Sequence, residues 1–146
     1  MPVLNFPVGV DGLAVEVQVS LSRPNLQAIR AAGNPVPQPV TLRALIDTGT
    51  DITSLVDASL APLAILPVGH MLVNTANGAT VVNRYAISLT VLDPDGRPPQ
   101  NLVRPKLGVL GMTNAPIGFD VMIGMDVLGG CLLNINGLAG RFTLAY

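Results

Sequence analysis

Ala44-Leu45-Ile46-Asp47-Thr48-Gly49-Thr50-Asp51 is the stretch on which the reading of this chain turns. Three apolar residues lead into a carboxylate, a Thr-Gly turn follows, and a second acid stands at position 51. Of the nine acidic residues, Asp47 alone joins a strand-like apolar run to a Thr-Gly turn. A carboxylate at a strand end is partly withdrawn from water, where burial and neighbouring charge tune its proton affinity.

Working outward, alternation marks the strands. Leu13, Val15, Val17, Val19 and Leu21 alternate with Ala14, Glu16, Gln18 and Ser20, which predicts a half-buried strand. Asp11-Gly12 reads as a turn, so residues 3–10 are expected to pair back as a first strand. Ser22 is placed to cap a short helix over 24–32 that ends at Gly33. Pro35, Pro37 and Pro39 then hold the chain extended. The whole of 22–39 reads as a surface insertion in a single domain spanning 1–146. A strand over 40–46 carries Asp47, and 53–66 holds a further strand and a helical turn limited by Pro62.

Asn77-Gly78 between extended arms at 71–75 and 80–92 is a strong hairpin signal. Asp93-Pro94-Asp95-Gly96 is another turn, and 100–111 another strand. Phe119 to Leu128 reads as strand, glycine turn and a short helix closed by Gly129-Gly130. Two last strands, 131–135 and 141–146, flank Asn136-Gly137. Many short strands with little helix predict an all-β domain, a closed or folded barrel with one short C-terminal helix.

Composition narrows the function. The chain has 146 residues, 49% apolar and 12% charged, with a net charge of −1. Its mean hydropathy of +0.54 is high for a small monomer, which points to apolar surface covered by a partner. Eight scattered basic residues and no Trp give nucleic-acid binding no support. Pro, Gly or polar residues interrupt every apolar run before it reaches the length of a membrane span. The N-terminus lacks a charged leader, and one cysteine suits a reducing compartment, so a cytoplasmic location is expected. A single His70 and a single Cys131 supply neither a metal site nor a Ser-His-Asp triad, and no cofactor is implied. Cys131, beside Gly129-Gly130 and Leu132-Leu133, reads as a buried structural thiol.

Carboxylates that cleave a bond without other help work in pairs. One activates water as a base; the other, protonated, polarises the carbonyl and later protonates the leaving amine. One such turn per chain supplies half of that pair, and a two-fold dimer completes it. Three segments in order carry a resemblance: Ala44 to Gly49, the hairpin from Asn74 to Tyr85, and Val121-Met122-Ile123-Gly124-Met125-Asp126-Val127-Leu128. The chain resembles the retropepsin-like aspartic proteases, the retroviral and bacterial single-domain kind, with one lobe per chain in an acid-protease-type barrel.

That resemblance implies a homodimeric aspartic endopeptidase acting on peptide or protein substrates. Asp47, Thr48 and Gly49 would form the catalytic turn, with Thr48 bonding across the axis. Thr50 and Asp51 would bind substrate near the dyad. Ala76, Asn77, Gly78 and Ala79 would be the tip of a flap closing over the peptide. Ile123 and Gly124 would support the turn from below, and the terminal segments 3–10 and 140–146 would join the dimer interface. Two residues depart from the retroviral pattern: Thr50 stands where Ala or Ser is usual, and Met125 where Arg often pairs with the acid at 51. Asp51 is therefore expected to be solvated or paired with another base such as Arg84. Asp126 reads as structural, Asp57 as a cap, Asp93 and Asp95 as turn residues, and Tyr85 as core or interface. The competing expectation is a non-catalytic relative that keeps the fold for dimerisation or peptide binding.

Overall fold

The computed structural model describes residues 1–114 and 118–146. Strands dominate: β1 (Val3–Pro7), β2 (Ala14–Leu21), β3 (Val40–Ile46), β4 (Ser54–Val56), β5 (Gly69–Thr75) and β6 (Gly78–Val91) precede β7 (Leu102–Met112), β8 (Val121–Ile123), β9 (Leu132–Asn136) and β10 (Arg141–Ala145). Helix α1 (Arg23–Ala31) lies between β2 and β3, and α2 (Met125–Leu128) follows β8. Two 3-10 segments cover Asp57–Leu63 and Pro98–Gln100.

The larger sheet runs β2-β3-β8-β4-β7-β6-β5, and β2 also pairs with β6. That extra pairing closes β2, β3, β8, β4, β7 and β6 into a barrel of six strands, with β5 hung outside on β6. Closure satisfies the edge groups that an open sheet would leave bare. Inward side chains follow the alternation: Val15, Val17, Val19 and Leu21 are buried on β2, and Tyr85, Ile87, Leu89 and Val91 on β6. Each fully buried aliphatic side chain contributes about 1.5–3 kcal/mol relative to exposure.

A second sheet has the order β1-β10-β9. Leu4 faces Leu144 and Phe6 faces Phe142, the two rings stacked with centroids 5.0 Å apart. These side chains belong to the same core as the barrel residues. Here the structure departs from expectation. Val3–Pro7 pairs with β10, not with β2, and only a single bridge, Gly9 with Gly12, survives of the foreseen hairpin. The apolar face of β1 is completed by Phe142 and Leu144, a long-range choice that local turn chemistry does not encode.

Helix α1 forms where foreseen, one residue earlier, with Pro24 in its first turn where no N–H is needed. Ser22 contributes its backbone carbonyl, which accepts from Leu26 N–H at 2.9 Å, and its hydroxyl makes no cap. The β5–β6 hairpin turns more tightly than expected. Thr75 pairs with Gly78, so Ala76-Asn77 alone form the loop and Ala79 lies in the strand. Gly78 has φ +105°, a conformation open to glycine, and the Thr75 hydroxyl donates to its carbonyl at 2.8 Å.

Candidate active site

Strand β3 lies between antiparallel β2 and parallel β8, with Ile46 beside Ile123. Parallel pairing brings both strands to their ends together, so the turn after β3 rests on the turn after β8. Asp47 N–H donates to the Ile123 carbonyl at 3.0 Å, and Met125 N–H to the Thr50 carbonyl at 2.8 Å. Gly124 sits where these turns touch: a Cβ there would stand 2.7 Å from the Thr50 carbonyl oxygen. Only glycine permits that approach. Ile123 and Gly124 are both buried where they meet the acidic turn.

The Asp47 carboxylate is half-buried and held at both oxygens. Gly49 N–H donates to Oδ1 at 2.9 Å, and the Thr50 hydroxyl donates to Oδ2 at 2.8 Å. The two donors fix the direction of the oxygens. Thr48 and Gly49 are exposed on the open side of the turn. Asp51 is exposed and enters no ion pair among the described residues; its carbonyl accepts from Asp126 N–H at 3.0 Å. Arg84 likewise enters no such pair among the described residues.

Two features of the site escaped the sequence reading. Thr53 is fully buried and ties the turns together. Its hydroxyl donates to Asp126 Oδ1 at 2.6 Å and accepts from Gly124 N–H at 3.1 Å, while its N–H donates to Asp126 Oδ2 at 3.0 Å. Asp126 is thus structural, as foreseen, but through Thr53. A buried threonine between Ile52 and Ser54 carries no periodic signal. The second feature is Asp57, expected as a cap. Its Oδ1 accepts from the Tyr85 hydroxyl at 2.6 Å and from Asn83 Nδ2 at 3.5 Å. Burial and then the Asp57 bond push the Tyr85 phenol above its ordinary range, so it stays a neutral donor. Burial also raises the Cys131 thiol, whose Sγ lies 3.5 Å from the Val127 carbonyl, in keeping with a structural role.

A cavity of about 490 Å³ opens beside the acidic turn, between Thr50 and the inner side of the β5–β6 hairpin. Ile52, Val73, Val82, Leu110 and Met112 supply apolar walls. The hairpin tip, Ala76 to Ala79, is exposed at some remove in sequence but on the arms that wall this cavity. Among the described residues, no cluster of three or more His, Cys, Asp or Glu is placed to hold a metal ion.

Comparison with solved structures places a retropepsin-like aspartic protease from Rickettsia conorii over 99% of this chain and 90% of that one, at TM-score 0.57 and 14% identity. The fold is that of the retropepsin-like aspartic proteases. Simian foamy virus (mac) protease also aligns, at TM-score 0.45 and 17% identity over 80% of this chain and 91% of that one. No family model matches the chain, and no curated protein matches its sequence. In the retropepsin-like fold seen here, Thr50 of the acidic turn and the β5–β6 hairpin line one cleft, and the β8–α2 segment is bonded to that turn. No helix among the described residues is long and apolar enough to cross a membrane.

Proposed function

We propose that this chain is one half of an aspartic endopeptidase, a single retropepsin-like unit that acts as a homodimer. The observation that carries the reading is the Asp47 carboxylate, held by Gly49 N–H and the Thr50 hydroxyl at the mouth of a cleft. Two such acids brought to about 3 Å share one proton, and the pair activates water and polarises the scissile carbonyl. Exposed Thr48 and Gly49 leave the turn open to a second copy. Substrate would lie extended between the dyad and the hairpin, with Thr50 and Asp51 on one side and Ala76, Asn77, Gly78 and Ala79 closing from the other.

The test is cleavage of fluorogenic peptides between about pH 4 and 7, with wild type and Asp47→Asn, beside sedimentation. Loss of about a thousandfold in kcat/KM in the variant, with both proteins dimeric, is the expected result. Cleavage that survives Asp47→Asn, or activity from a strict monomer, overturns it. Dimers that bind peptides without cleaving them would leave a non-catalytic peptide-binding domain.

A further inference from the structure

The cavity beside the acidic turn has apolar walls, yet its lining includes a carboxylate, Asp57. That placement is built. Position 111 is glycine, and a Cβ there would fall 2.1 Å from Asp57 Oδ1. The Tyr85 hydroxyl and the Asn83 amide both reach the same oxygen, Oδ1, and Asn83 Nδ2 also donates to the Tyr85 hydroxyl at 3.2 Å. Oδ2 receives no hydrogen bond among the described residues, and Asp57 enters no ion pair there. No buried side-chain oxygen in the described residues lacks a partner, so Oδ2 lies in accessible space. One oxygen is therefore anchored, and the other is accessible on a residue that lines the cavity.

We propose that Asp57 makes this cavity a recognition pocket for a basic side chain of the substrate peptide, a lysine or an arginine. The inference rests on Asp47 being half of a peptidase dyad, and it adds the class of residue taken beside the cleaved bond. Ile52, Val82 and Leu110 suit the methylene stem of such a side chain, and Oδ2 suits its cationic head. An aliphatic side chain would fill the walls but take water from Oδ2 and give it no partner, which disfavours it. A glutamate would meet like charge. Thr50 lies at the edge of the same cavity and bonds Asp47, so the bound side chain belongs to a residue close to the scissile bond.

The experiment uses matched peptides carrying Lys, Arg, norleucine or Glu at each position flanking the cleaved bond. At one position wild type is expected to favour Lys or Arg over norleucine by about tenfold or more in kcat/KM, the return of one charge-assisted hydrogen bond. Asp57→Asn keeps an acceptor for Tyr85 and should bring that ratio close to one. Tyr85→Phe, which frees the carboxylate to turn, should reduce the ratio in part. The same peptides are titrated against Asp47→Asn by fluorescence anisotropy, so recognition is read without cleavage. Equal handling of basic and norleucine peptides by wild type, or a preference that survives Asp57→Asn, overturns the inference. Wild type that cleaves nothing while Asp47→Asn still prefers basic peptides overturns the peptidase reading and leaves the pocket assignment standing.

Discussion

One hydroxyl in the acidic turn reaches the carboxylate that the proposed chemistry needs. Thr50 donates to Asp47 Oδ2 at 2.8 Å, a bond an alanine cannot make. Such a bond is worth about 1 kcal/mol or somewhat more, and it fixes where Oδ2 points. Thr50→Ala is therefore expected to lower kcat/KM by roughly tenfold, while Thr50→Ser, which keeps the hydroxyl, stays close to wild type. Equal activity in the two variants would show that the hydroxyl does not position the acid. Asp47, Thr50 and Gly124 were all legible from spacing, because a strand end, a turn and a glycine at close approach leave marks in sequence. Thr53 and Asp57 were not: each works through one partner far along the chain, Asp126 and Tyr85 respectively.

Among the elements, the turn after β6 has a pH signature of its own. Asp93 is buried, and Arg97 Nε donates to its Oδ2 at 2.6 Å. The Arg97 bond holds the Asp93 carboxyl below the ordinary carboxylate range, with help from backbone N–H groups of Asp95 and Arg97. A depressed value in the folded state gives stability that is present above the ordinary carboxylate titration near about pH 4 and is lost as pH falls through the folded value. Thermal melts should thus show Asp93→Asn melting lower than wild type at pH 5–7 by about the same margin throughout. That gap should close only in acid below the ordinary carboxylate range. A gap independent of pH would mean that packing, not charge, sets the cost. The turn itself was plain from Asp93-Pro94-Asp95-Gly96, whereas its ion pair depends on how Arg97 folds back over it.

For the whole molecule, the terminal sheet carries the case for a partner. Phe6, Phe142 and Ile135 stand in one row across β1, β10 and β9. Phe6 and Phe142 are buried, yet Ile135 on the same face is 55% exposed, so the apolar face runs past the core it covers. Leu132, on the free-edged strand β9, is 64% exposed. An uncovered apolar face beside an unpaired strand edge is a natural seat for a second copy. Ile135→Asp is expected to weaken self-association at least tenfold, about 1.4 kcal/mol, and to make peptidase activity rise steeply with protein concentration. Sedimentation that matches wild type would place the interface elsewhere. What the sequence determined unaided was the strand inventory, the acidic turn and its supports, since alternation, turn chemistry and glycine spacing are local properties. Tertiary structure alone decided that β1 joins β10, that the barrel closes through β2 and β6, and that Asp57 faces a cavity. Those outcomes depend on which apolar faces and polar atoms meet across long stretches of chain, a matter of packing that no short window of residues contains.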